Sequence, residues 1–129
     1  MEAFAPPSPT PMELEILRVM WQLGPSTVRE IHEVLNLGKP TGYTTVLKLL
    51  QIMTVKGMVK RNEDERAHVY QAAQPAEQTK RRMVRDLLDK AFAGSASELT
   101  MHALAGKKES REQIAEIRRM LDEYEKGTK

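Results

Sequence analysis

The sequence predicts a mainly α-helical fold with one small β-hairpin, and three observations carry that expectation. A helix-start signal occurs twice, as Thr10-Pro11-Met12-Glu13 and Thr27-Val28-Arg29-Glu30, each with a hydroxyl at the cap and a glutamate three residues on. Apolar residues recur at helical spacing through most of the chain. Only between Met58 and Gln71 does the period fall to two, on either side of a polar "NEDER".

The first helix runs from about 11 to 23: Pro11 sits at its first position, Leu14, Leu17, Val19, Met20 and Trp21 form its stripe, and Gly24-Pro25 ends it. A short helix over about 27 to 36 presents Val28, Ile31, Val34 and Leu35 before "NLGKP" stops it. A third spans about 42 to 56, with Val46, Leu49, Leu50 and Met53 inward, Thr44, Thr45 and Lys48 outward, and Gly57 as its stop. Met58 to Arg61 and Ala67 to Gln71 read as the two strands of the hairpin. Pro75 opens a fourth helix to about Phe92, Ser97 caps a short segment through Leu104, and Gly106-Lys107-Lys108 is a break. Ser110 then caps a last helix to about Lys126, whose Ile114, Ile117, Leu121 and Tyr124 follow the narrow spacing of a helix-pairing seam. The expected organisation is a Pro-rich flexible arm (1–10), a first domain (11–73) and an all-helical second region (74–129).

A chain of 129 residues builds only a modest core and gains from a partner surface. With no cysteine, it has no disulfide, thiolate metal site or cysteine nucleophile, and cytoplasm is the expected compartment. No apolar run approaches the roughly 18 residues of a membrane span, and "MEAFAPPSPTP" lacks the features of a signal peptide. His32, His68 and His102 stand apart without a second ligand at metal spacing, so no metal or other cofactor is expected. There is no Gly-rich phosphate loop, nucleophile with a base, or paired carboxylate set, which argues against an enzyme.

The net charge of +2 says less than its distribution. No acid occurs between Glu33 and Glu63, while Lys39, Lys48, Lys56, Lys60 and Arg61 fall in that interval. Helix, short helix, exposed helix and hairpin is the order of a winged helix-turn-helix, whose third helix enters the major groove of DNA. Thr41, Tyr43, Thr44, Thr45 and Lys48 offer hydroxyl and ammonium donors to phosphates and base edges. Lys48, Lys56, Lys60 and Arg61 would displace counterions from phosphates. One such module binds weakly, so the second region is expected to pair two copies on an inverted-repeat site in double-stranded DNA. Three other readings stand beside this one: a winged helix that docks only on protein, a monomer whose last helix folds back, and an effector molecule between the two halves.

The stretches "MELEILRVMWQLGPSTVREIHEVL", "YTTVLKLLQIMTVKGMVKR", "RAHVYQA", and "FAGS" followed by "EQIAEIRRML" resemble the penicillinase repressor family of BlaI/MecI type, from about Thr10 to Leu121. The resemblance implies a homodimeric winged-helix repressor on a palindromic operator, often of β-lactamase or cell-wall response genes. It also implies a membrane-bound sensor protease as inactivating partner. Carried onto this chain, it places DNA contacts on Thr41, Tyr43, Thr44, Thr45 and Lys48, with Arg66 at the wing beside Arg61. Dimer contacts fall on the stripes after Pro75: Leu87, Leu88, Leu99, Leu104, Ile114, Ile117, Leu121 and Tyr124.

Two departures from the family pattern matter. Where relatives commonly have Gly before the wing arginine, this chain has Glu65, with Glu63 and Asp64 beside it, which is unfavourable near phosphates unless Arg66 pairs with them. Alignment of the cleavage segment puts the bond at His102-Ala103, with Ala103 where a larger apolar residue is expected, so the local sequence does not itself support cleavage. The Cys cluster of the copper-responsive branch is absent.

Overall fold

The computed structural model describes residues 7–64, 66–106 and 108–127. The first six residues of the expected arm, Glu65 and Lys107 lie outside the described residues. The elements in order are α1 (Pro11–Leu23), β1 (Ser26–Thr27), α2 (Val28–Gly38), α3 (Tyr43–Lys56), β2 (Val59–Asn62), β3 (Val69–Ala72), α4 (Ala76–Ala91), α5 (Ala96–Leu104) and α6 (Arg111–Gly127). This is the mainly α fold with a winged helix-turn-helix and a helical C-terminal region. The chain divides into two compact units, 1–86 and 87–129.

In the first unit, α1, α2 and α3 enclose a core of Ile16, Leu17, Met20, Ile31, Val46, Leu50 and Met53, closed from the sheet side by Met58, Val59 and Tyr70. Each buried aliphatic of this kind contributes about 1.5–3 kcal/mol of transfer free energy. The inward face of α1 holds Leu17, Val19 and Met20 as expected but begins with Glu13 and Ile16, while Leu14 and Trp21 are only partly buried. The cause is Glu13, which is 2% exposed. Its Oε1 accepts from the Thr10 amide at 2.9 Å, completing the capping box, and its Oε2 meets Lys56 Nζ at 2.8 Å. A carboxylate served on both oxygens can occupy a core position, and it ties the start of α1 to the last turn of α3.

The second capping box also forms, with Thr27 Oγ1 accepting from the Glu30 amide at 3.2 Å and Glu30 Oε1 from the Thr27 amide at 2.9 Å. Gly57 closes α3 in left-handed backbone (φ 85°, ψ 12°). Its amide donates to Thr54 O at 3.1 Å and that of Met58 to Met53 O at 2.9 Å, the paired closure that favours glycine.

The sheet holds one strand beyond the expected hairpin. β1 pairs antiparallel with β3 (Ser26 opposite Tyr70, Thr27 opposite Val69), and β2 pairs on its other side (Val59 opposite Ala72, Arg61 opposite Tyr70). A two-residue strand has too few positions to show a period, so only its pairing reveals it. On α1, the Trp21 indole N–H donates to Gln74 O at 3.3 Å, pinning the exit of the sheet. The described part of the N-terminal segment lies on this unit, where the Ser8 hydroxyl donates to Asp86.

In the second unit α5 is capped by Ser95, not by Ser97 as the sequence suggests. Ser95 Oγ accepts from the Glu98 amide at 3.1 Å, and the turn before it uses Ala93 and Gly94 at positive φ to bring that hydroxyl into place. Ser110 caps α6, accepting from the Gln113 amide at 3.1 Å. No residue of α4, α5 or α6 is buried, although they carry most of the chain's apolar seam. No helix among the described residues is long and apolar enough to cross a membrane.

Candidate nucleic-acid interface

The first half of α3 is an outward polar face. Tyr43, Thr44, Thr45, Lys48 and Gln51 are exposed, whereas Val46, Leu50 and Met53 on the opposite side are fixed in the core. Beyond Gln51 the same outer face turns apolar at Ile52 and Val55, so the hydrogen-bonding surface is confined to the N-terminal turns. Those are the turns that a recognition helix offers to base edges.

The approach to this face is held by a side-chain network. The Thr41 amide donates to Asn36 Oδ1 at 2.7 Å, and His32 Nε2 lies 2.7 Å from Thr41 O. The same ring nitrogen lies 2.8 Å from Asn36 Nδ2, so His32, Asn36 and Thr41 meet at one point. The ring also meets Tyr43 edge-on, with centroids 5.6 Å apart. Thr41 uses its own hydroxyl on Lys39 O at 3.0 Å. Of the five candidates here, Thr41 is therefore engaged in shaping the turn, while Tyr43, Thr44, Thr45 and Lys48 form one exposed cluster. His32 and Asn36 carry no signal in the sequence beyond being polar residues four apart on a helix.

The basic residues separate into different roles. Lys56, counted in the sequence as a counterion-displacing residue, is committed to buried Glu13 and does not join the α3 cluster. Lys60 is exposed on β2. Arg61 donates through Nε to Glu63 at 2.8 Å, and the neighbouring Tyr70 and Glu63 side chains, Tyr70 first, hold its guanidinium above its ordinary value. The wing carboxylate is thus paired by Arg61 rather than by Arg66. Arg66, exposed in the bend before β3, lies instead beside a cleft of about 520 Å³ that it lines with Thr27, Arg29, Tyr43 and His68. Arg29 and His68 are not expected at the interface from the sequence, because only the pairing of β1 with β3 sets the start of α2 against the wing.

The seam residues are distributed along the helices of the C-terminal region. Leu87, Leu104, Ile114, Leu121 and Tyr124 are exposed, and Leu88, Leu99 and Ile117 partly so. Met101 and Met120, absent from the expected set, are exposed at 70% and 58%, which enlarges the apolar surface. His102 and Ala103 lie in the last turns of α5, exposed, with the His102 ring against Phe92 at 5.3 Å. Among the described residues no cluster of three or more His, Cys, Asp or Glu side chains is arranged to hold a metal ion.

Comparison with known proteins agrees with this architecture. The chain is 29% identical over 118 residues to the transcriptional regulator BlaI of Mycobacterium tuberculosis, in strains CDC 1551 / Oshkosh and ATCC 25618 / H37Rv. The match covers 90% of this chain and 84% of each relative. The sequence profile of the penicillinase repressors matches residues 9–123, nearly the whole winged-helix unit and helical region. The chain belongs to the penicillinase repressor family, a family of transcriptional regulators and not of enzymes.

Proposed function

We propose that this chain is a homodimeric transcriptional repressor that reads an inverted-repeat operator in double-stranded DNA with the N-terminal turns of α3. The observation that carries the reading is the exposed, acid-free cluster of Tyr43, Thr44, Thr45 and Lys48, on a helix whose other face is locked in the core and whose entry is clamped by His32 and Asn36. An ammonium and three hydroxyls on a rigid helix suit phosphates and base edges, and no carboxylate on that face opposes them.

Pairing of two copies is assigned to the region from residue 74 onward. The exposed leucines, isoleucines and methionines of α4, α5 and α6 support it, because a surface that apolar is favourable only when covered. Two modules joined by a two-fold axis then meet half-sites about one helical turn apart. The family resemblance also raises β-lactamase or cell-wall response genes as targets and release by a membrane sensor protease at His102-Ala103, a bond whose Ala103 does not itself support cleavage. That bond lies within α5, so the end of the helix must unwind before a protease can accept it.

The test compares Lys48→Ala with Lys108→Ala by fluorescence anisotropy on a duplex recovered from a random pool by the wild-type protein. Lys48→Ala is expected to weaken binding about tenfold and to flatten its salt dependence, with Lys108→Ala near wild type. Equal losses would remove α3 from the interface.

A further inference from the structure

We propose that the backbone of one DNA strand is gripped in the cleft between the start of α2 and the wing, by Arg29 and Arg66, and that Glu63 withdraws Arg61 from this task. The proposal deepens the DNA-binding reading above and rests on it.

The cleft, about 520 Å³, carries two arginines, the His68 ring and the Thr27 and Tyr43 side chains on its walls, and no carboxylate among the described residues. Tyr43 belongs to both the cleft and the exposed cluster of α3, so the two surfaces are continuous. Neither Arg29 nor Arg66 has a hydrogen-bond or ion-pair partner among the described residues. The acid next to Arg29 in sequence, Glu30, is turned onto the Thr27 amide as part of the capping box. Two guanidinium groups flanking a groove, with their donors unspent, suit the paired oxygens of phosphates better than any apolar or acidic-free protein surface would.

Arg61 presents the opposite case. It stands on the wing strand where a backbone contact would be placed by sequence, yet Glu63 accepts from its Nε and terminal nitrogen. To reach a phosphate it would have to leave Glu63 behind as an uncompensated negative charge beside the DNA. The acidic wing therefore moves the grip from the strand to the cleft, and it lowers affinity for every sequence alike, since a backbone contact carries no base information.

The experiment uses the full-length protein, the duplex recovered from a random pool and a scrambled duplex of the same composition, in a salt series. Arg29→Ala is expected to weaken both duplexes by about the same factor, roughly five- to tenfold, and to lower the salt slope by about one. Removing the pair together, Arg61→Ala with Glu63→Gln, should change either by less than about twofold, because Arg61→Ala alone would uncover the Glu63 charge, and Glu63→Gln by itself should tighten both. Circular dichroism of each variant confirms folding. The proposal is overturned if the double variant costs as much as Arg29→Ala, if Arg29→Ala leaves the slope unchanged, or if its effect is confined to the recovered duplex. Failure of the wild-type protein to tell the two duplexes apart would instead sink the repressor reading, while the comparison of Arg29→Ala with the double variant on the scrambled duplex would still decide the grip.

Discussion

Replacing Lys56 with Met removes the ammonium that lies 2.8 Å from Glu13 Oε2 but keeps an unbranched side chain on the last turn of α3. Glu13 Oε1 retains the Thr10 amide, whereas Oε2 is left without a donor in a residue only 2% exposed. Removing one partner of a fully buried ion pair costs roughly 3–5 kcal/mol. Lys56 is 33% exposed, so water screens its end of the pair, and the loss discounts to about 2 kcal/mol. A unit of this size shifts by roughly 4–8 °C per kcal/mol, so Lys56→Met should melt about 8–16 °C below wild type at neutral pH. Glu13→Gln should cost less, because the freed ammonium can swing into solvent. The pH dependence supplies an independent check. Burial pushes the Glu13 carboxyl up, but the Lys56 hydrogen bond, the Thr10 donors and the Lys56 charge outweigh it and hold the group below its ordinary 4.5. A carboxyl depressed by folding contributes stability that is present above 4.5 and is lost as pH falls through its lower folded value. Wild type and Lys56→Met should therefore differ at neutral pH and converge in acid, as followed by thermal unfolding in far-ultraviolet circular dichroism. A variant that melts together with wild type at neutral pH would refute the reasoning.

Three further outcomes follow from the same geometry. Leu121→Asp puts a charge on the 62% exposed centre of the α6 seam and should yield monomers by light scattering; a protein that remains dimeric places the seam elsewhere. His32→Ala loses the hydrogen bond to Thr41 O and the edge contact with Tyr43, at a cost of about 1–2 kcal/mol in chemical denaturation, with weaker DNA binding because the entry to α3 loosens. Gly57→Ala meets no steric obstruction but forces a Cβ into φ 85°, and should destabilise by about 1 kcal/mol; an unchanged denaturation midpoint would show that the turn relaxes.

Helix starts, the hairpin and the outward face of α3 are legible in the sequence because each depends on neighbours within a few residues. Thr10 with Glu13 and Thr27 with Glu30 state their caps locally, and the acid-free run after Glu33 marks the polar face directly. Glu13 also shows where local reading fails. Its burial depends on Lys56, 43 residues away, and a pattern that treats every glutamate as outward turns the face of α1 away from Ile16. The wing poses the same problem, since nothing in "KRNEDER" says that Glu63 belongs to Arg61 rather than Arg66. Ser95 and Ser97 are both competent caps two residues apart, and the positive φ of Ala93 and Gly94 chooses between them.

The central claim is that α3 presents a sequence-reading surface to DNA, twice, in a dimer. The most direct measurement retains sheared DNA of the source genome on the purified protein at near-physiological salt and sequences what is held, in parallel with Lys48→Ala. The account predicts a few promoters sharing an inverted repeat, with half-sites about one helical turn apart, and their loss in the variant. Retention of every fragment or of none, or the same promoters held by Lys48→Ala, would contradict it.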